Sequence, residues 1–233
     1  MLKTLKEQLQ DVRKRYKNRR ETPQYWEFSE ANIGYIQIPK VASRSMRKAF
    51  SDAYGIGSDD EVFDKFEDLY SAHVKHEEIR KAVDRGVYVF AFVCDPLARL
   101  YSAWMNKVSK IPETGRRCIF SCHGIDYGMP FADFAKRVCE IDDTNLDRHL
   151  RSQAWFLADE KGLIPQYIGK LETFALDYEH IRNKFPKLLE SPHANKSVYE
   201  KKHLDAYDDI TLKLVVERYR RDFDLFGYTY PSQ

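Results

Sequence analysis

The chain has 233 residues, of which 43% are hydrophobic and 32% charged, and a formal net charge of +2. That is enough apolar material for a buried core in one folded domain, and no apolar run approaches the ~18 residues needed to span a bilayer. Four cysteines (Cys94, Cys118, Cys122 and Cys139) are too few for a disulfide framework, and with no signal-peptide apolar region they point to a reducing cytosol, with peripheral membrane contact through the N-terminal segment left open.

Residues 1–20 carry eight Lys and Arg against Glu7 and Asp11, a net of +6, so from the total of +2 the remainder carries −4. A nucleic-acid-binding body would wear its basic residues as a stripe on the fold itself, so nucleic acid is not the expected partner. Leu2, Leu5, Leu9, Val12 and Tyr16 are spaced 3, 4, 3 and 4, which predicts an amphipathic helix with a narrow apolar seam. Three uses are open to it: packing on its own domain or on a second copy in a homo-oligomer, lying on anionic lipid, or holding a polyanionic acceptor. Thr22-Pro23 ends the element, dividing the chain into a basic helix over 1–22 and a single domain over 23–233.

The apolar run Ile33 to Ile38 predicts a buried strand that stops at Pro39, which cannot donate to a sheet ladder. Met46, Ala49, Phe50 and Ala53 then recur at i, i+3, i+4 and i+7, one face of a helix, with Ser43 and Ser45 as candidate N-caps. Strand, tight loop and helix N-terminus aim free backbone N–H groups and the positive end of a helix dipole at one place, which favours a phosphate. Lys40 adds a positive charge there. The plain alternative is a strand-to-helix turn with an exposed lysine.

Gly55 and Gly57 mark a turn, and Phe63, Phe66 and Tyr70 suggest a short helix leading to His73 and His76. A second short helix runs from Glu77 to Asp84. Val87 to Val93 is continuous and β-rich, the pattern of a strand buried on both faces. Asp95-Pro96 supplies an N-cap and a proline at N1, and Leu97, Leu100, Tyr101, Trp104 and Val108 mark the apolar face of the helix that follows. Two strand-loop-helix units predict a three-layer α/β/α fold around a mainly parallel sheet.

Residues 109–145 read as irregular, a stretch expected to serve function and here assigned to acceptor contacts. Cys118, Cys122 and His123 have a superficial metal spacing, but without a second ligand pair they read as reduced thiols. Leu146, Leu150, Gln153 and Leu157 predict a helix, Tyr167 to Leu171 a strand, and Leu212, Val215, Tyr219, Phe223 and Phe226 a core-facing helical stripe.

The loop lacks the glycines of a Walker A sequence. Its order, Pro39-Lys40-x-Ala42-Ser43-x-Ser45, resembles the 5′-phosphosulfate loop of sulfotransferases that use 3′-phosphoadenosine-5′-phosphosulfate. The similarity is to the carbohydrate branch, which includes the heparan-sulfate 2-O- and chondroitin 4-O-sulfotransferases. Cys94-Asp95-Pro96-Leu97-Ala98-Arg99-Leu100-Tyr101-Ser102 resembles that family's 3′-phosphate segment, except that its first position is normally arginine. Asp147-x-His149-x-x-x-Gln153, Ile168 to Glu172, Asn195-Lys196-Ser197 and Tyr219 to Tyr228 resemble later segments, so the similarity spans about residues 33–230.

The resemblance implies a P-loop-like core that binds the phosphosulfate donor and releases adenosine 3′,5′-bisphosphate without a metal. Lys40, Val41, Ala42, Ser43, Arg44 and Ser45 would hold the phosphosulfate, and Cys94, Ser102 and Lys196 would lie along the nucleotide. Lys40 would also stabilise the leaving oxygen. His73-Val74 matches the position of the family's general base, and a histidine's ordinary pKa suits that work at neutral pH. His76, His149, Arg151 and Gln153 are candidates for contacts to the acceptor, a hydroxyl of a carbohydrate or glycolipid; structural hydrogen bonding is equally open to the last three, and a surface or helix-capping role to His76. Eukaryotic relatives are anchored Golgi enzymes, so this sequence reads as a bacterial-type soluble member or a shortened chain. The competing readings are a non-catalytic nucleotide- or glycan-binding relative, suggested by Cys94, and a nucleotide-dependent kinase.

Overall fold

The computed structural model describes residues 4–55, 70–113, 115–188 and 201–231. Two predicted features, the helix around Phe63 and Phe66 and the loop carrying Lys196, lie outside the described residues. Contacts divide the chain into two compact units: a sheet unit of residues 22–94 and 153–199, and a helical unit of residues 1–21, 95–152 and 200–233. The predicted single domain over 23–233 is thus shared between them, and the first helix belongs to the second.

The sheet unit is mixed α/β. Its strands are β1 (Gln24–Phe28), β2 (Ile33–Gln37), β3 (Ser71–His73), β4 (Tyr88–Val93) and, after the short β5 (Ala158–Asp159) and β6 (Gly162–Leu163), β7 (Tyr167–Lys170). The five-stranded order is β3-β1-β2-β4-β7. β2, β4 and β7 are parallel neighbours, while β1 runs antiparallel to β2 and β3. The register sets His73 opposite Gln24, and Gln24 opposite Gln37. The carboxyl ends of β2, β3, β4 and β7 therefore share one edge, which is where open α/β sheets place their ligands.

Residues Val89 to Val93 of β4 are fully buried, as their unbroken apolar run requires. The sequence reading missed β1 because Gln24 and Glu27 interrupt its apolar pattern. Helix α2 (Ser43–Ala53) fixes itself through Phe50, which stacks on Phe28 at 4.3 Å and meets Trp26 edge-on at 5.9 Å. Tyr35 and Phe90 complete this aromatic cluster, their rings 5.1 Å apart. Burial of each such side chain contributes about 1.5–3 kcal/mol. Helix α3 (His76–Asp84) is tied to the β5–β6 hairpin by Arg80, which grips Asp159 at 2.5 and 2.6 Å and donates to the Gly162 carbonyl at 2.9 Å.

The helical unit contains α1 (Leu5–Arg20), α4 (Pro96–Lys107) and α5 (Phe131–Cys139); α6 (Gln153–Leu157) and α7 (Phe174–Lys184) belong to the sheet unit, and α8 (Asp209–Arg218) and α9 (Arg220–Phe226) return to the helical one. Asp95 caps α4 by accepting the Ala98 N–H at 2.8 Å, and Leu97, Leu100 and Ala103 are buried beneath it. Three expectations change here. The stretch expected to be irregular contains α5, whose Phe131, Phe134, Ala135 and Val138 enter the unit's core, because Pro130 starts the helix instead of breaking it. The helix predicted from Leu146 begins only at Gln153, since Asp147 and Asp143 take the N–H groups of His149 and Ser152 at 3.1 and 2.9 Å in competition with helix formation. The last apolar stripe is broken at Tyr219, whose buried hydroxyl donates to the Leu150 carbonyl at 2.6 Å.

For α1 one of the open uses falls away. Its seam does not pack on its own unit: Leu5, Leu9, Val12 and Tyr16 are 73%, 54%, 62% and 58% exposed. The buried residues of α1 are Asp11 and Asn18. Polar partners drawn from residues 117–151 account for the reversal. Among the described residues no helix is long and apolar enough to cross a membrane.

Candidate active site

The loop after β2 is built to hold its backbone in an unusual shape. Pro39 ends the ladder, Val41 is fully buried, and the Val41 N–H returns to the Ile38 carbonyl at 3.2 Å. On either side of that anchor Lys40 (φ 73°) and Ala42 (φ 45°) take the left-handed conformation without being glycines. A non-glycine residue there costs roughly 1–2 kcal/mol, and such strain gathers at ligand clamps. Left-handed residues among right-handed ones form the N–H-lined concavities that bind anions.

Ala42, and neither of the predicted serines, is the N-cap of α2, and no side chain caps this end. An alanine offers no oxygen to the first turn, so the N–H groups that a helix leaves unpaired at its start stay directed at the loop. Ser43 and Ser45 are half-buried, Arg44 is exposed, and Lys40 is half-buried. This is a donor set with the chemistry of a phosphate or sulfate cradle.

His73 closes β3 on the same sheet edge. Its Nδ1 lies 3.2 Å from the Thr22 carbonyl oxygen, which can only accept. Nδ1 therefore carries the proton, and Nε2 keeps the lone pair of a base. The ring is exposed. Gln24 and Gln37, both buried, fill the positions between His73 and the loop, with Gln24 donating to the Ser71 hydroxyl at 2.8 Å. Sequence reading missed both glutamines; only their place at the strand ends marks them.

Several candidates are occupied elsewhere. The His76 ring nitrogen Nε2 donates to the Phe156 carbonyl at 3.2 Å, the ring meets Trp155 edge-on, and burial lowers its pKa. Gln153 is fully buried and spends its amide on Cys94, accepting the Cys94 N–H at 2.9 Å and donating to its carbonyl at 2.7 Å. It continues the ladder at the end of β4 where a strand would. Arg151, also fully buried, donates to the carbonyls of Asn18 and Leu146 at 2.5 and 3.1 Å. Gln153 and Arg151 thus follow the structural of the two readings open to them, while half-buried His76 is held through one ring nitrogen.

His149 differs. It is half-buried and its Nδ1 lies 2.7 Å from Asp147, which also pairs with Lys14 at 2.7 Å. Burial pushes the Asp147 carboxyl up, but His149 and Lys14 override it and hold the group well below the usual carboxylate range. Cys94 is fully buried, and Ser102 is half-buried on α4. Arg99, which could have replaced the missing arginine, is buried and donates to the Arg151 carbonyl at 2.6 Å. None of the four cysteines is joined in a disulfide. Cys118 lies 3.7 Å from the Lys107 carbonyl, and His123 Nε2 accepts from Asn18 at 3.2 Å.

Residues 23–229 match the sequence pattern of the sulfotransferase family. Carbohydrate sulfotransferase 14 of Mus musculus is 25% identical over 222 residues, which is 85% of this chain and 58% of the relative. The Homo sapiens and Danio rerio proteins of that name are 24% and 23% identical, with 58% and 60% of their lengths covered. The chain thus spans less than two thirds of these relatives. No solved structure matches it.

Proposed function

We propose that this chain, which belongs to the sulfotransferase family, moves a sulfuryl group from 3′-phosphoadenosine-5′-phosphosulfate to a hydroxyl of a carbohydrate or glycolipid. The observation that carries the reading is the pairing of a strained, glycine-free anion loop with a histidine on the same sheet edge whose Nδ1–H is fixed by the Thr22 carbonyl. The names of the relatives support a carbohydrate acceptor.

The bound donor supplies an activated sulfuryl group. The loop amides, Ser43, Ser45 and Lys40 hold its phosphosulfate end. His73 Nε2 takes the proton of the acceptor hydroxyl as that oxygen bonds to sulfur from the side opposite the leaving group. Lys40 places its charge against the bridging oxygen, which departs with the bisphosphate as the old S–O bond breaks. Positioning and fixed charge dominate such transfers. Ser102 takes the 3′-phosphate by the family pattern, and Lys196 contributes by the same analogy. Cys94 cannot replace an arginine there; loss of a charge-assisted bond costs about 1.5–3 kcal/mol, so donor binding is weaker than the pattern alone implies.

Two measurements test the proposal. Adenosine 3′,5′-bisphosphate at about 100 times its Kd raises stability by about 2.7 kcal/mol, whereas ATP–Mg²⁺ does not; the reverse would mark a kinase. Labelled donor incubated with a panel of neutral glycans and glycolipids passes its sulfate to at least one, and His73→Ala lowers that turnover about 10²–10⁴-fold. Stabilisation by the bisphosphate, with turnover absent for every acceptor, would leave a nucleotide-binding relative without catalysis.

A further inference from the structure

Helix α1 is held by the wrong face for an ordinary amphipathic helix. Asp11 takes Arg117 at 2.9 Å, Lys14 pairs with Asp147 at 2.7 Å, and Arg15 donates to the Cys122 carbonyl at 2.8 Å. Asn18 donates to His123 at 3.2 Å, and Arg19 donates to Asn145 at 2.7 Å. Thr4 and Glu7 close the first turn as a capping box. The polar side is thereby consumed, and the stripe of Leu5, Leu9, Val12 and Tyr16 is presented outward.

The charges beside that stripe decide what it fits. At about 100° per residue, Lys6, Arg13, Lys17 and Arg20 line one flank, and Arg20 also lies over the Tyr16 ring at 4.9 Å. Gln8, Arg15 and Arg19 line the other. Neither flank carries an acid, because Glu7 and Asp11 are turned inward toward Arg117. A second copy of α1 would set cation against cation or neutral side chain in either orientation. A polyanionic sugar would satisfy the flanks and leave the apolar stripe in water. An anionic bilayer satisfies both, with headgroups on the cations and acyl chains on the leucines.

We propose that α1 docks this protein on an anionic membrane surface, its apolar stripe entering the headgroup–acyl boundary while its polar face remains clasped to its own unit. The inference is independent of the sulfotransferase reading.

The test is co-sedimentation of the full chain with vesicles of phosphatidylcholine alone or with 30% phosphatidylglycerol, and in parallel its retention on heparin. The wild type pellets only with the anionic vesicles. Leu9→Ser with Val12→Ser lowers that partition at least about tenfold, and Arg13→Gln with Lys17→Gln lowers it on the order of 30-fold, at roughly fivefold per cation. Leu176→Ser, at a position 76% exposed on α7, leaves it unchanged. These positions are on the surface, so an unaltered thermal midpoint accompanies each variant. The proposal is overturned if the wild type stays in the supernatant, or if the Leu9/Val12 variant pellets as well as the wild type. Heparin retention without vesicle binding, or a dimer that the stripe variant dissociates, overturns it as well.

Discussion

Ala42 holds φ at 45° in a loop without glycine, so its small size is what the conformation tolerates. Glycine there would relieve the roughly 1–2 kcal/mol of left-handed strain and lose about 0.4–1 kcal/mol through unfolded-chain entropy. Ala42→Gly is therefore neutral to mildly stabilising, whereas Ala42→Val places a β-branched side chain in a region it avoids. The valine variant should lower the melting temperature and abolish stabilisation by adenosine 3′,5′-bisphosphate; thermal melts with and without the nucleotide check both. Gln153 is a second single residue on which geometry turns. Gln153→Leu removes both partners it gives the Cys94 backbone, an expected loss of about 2–4 kcal/mol in urea unfolding. If Gln153 served the acceptor instead, the leucine variant would raise KM and leave stability intact.

At the scale of elements, what was legible in the sequence followed from local pattern. The apolar run of β4, the Asp95-Pro96 start of α4 and the face of α2 through Met46, Ala49 and Phe50 are all written in adjacent residues, and all three are observed. The loop motif and His73 stand out by their order along the chain, and the register sets both at the carboxyl edge of the sheet. What escaped depends on partners far away in sequence. Nothing near Asn18 announces His123 or Arg151, so the sequence left several uses of the α1 stripe open, and it could not choose between acceptor contact and structural hydrogen bonding for Arg151 and Gln153, whose side chains the backbone engages. The β4–β7 pair shows the same dependence. A Cβ on Gly169 would lie 2.6 Å from the Phe92 ring and 2.9 Å from Asp177 Cβ. Asp177 cannot yield, since it accepts from the Tyr167 hydroxyl, the Lys170 N–H and the Thr173 hydroxyl. Gly169→Ala should cost about 1–3 kcal/mol, measured by urea unfolding; an unchanged midpoint would show that β7 and α7 part more easily than this packing allows.

For the molecule as a whole, acid is the condition that reads these arrangements together. Burial pushes the His123 imidazole down from 6.5 to about 4, with Asp147 opposing and Arg15, Lys14 and Arg137 reinforcing the fall. His76 is lowered too, again chiefly by burial. Between about pH 6.5 and 4 the unfolded chain therefore binds a proton at His123 that the folded chain refuses, so this contribution to stability is complete above that window and falls as pH drops through it, and His76 acts in the same direction. For His123 alone the loss is roughly 3 kcal/mol across the window. Protonation is awkward there for a geometric reason: Nε2 accepts from the Asn18 amide, and an added proton would point two donors at each other. Asp147, held below the ordinary carboxylate range, gives up its contribution only at lower pH. Urea midpoints from pH 7.5 to 4.5 should thus decline in the wild type and decline much less in His123→Gln, which keeps a polar side chain without a titration. Equal slopes in the two proteins would assign the acid sensitivity to other groups and remove His123 from the clasp on α1.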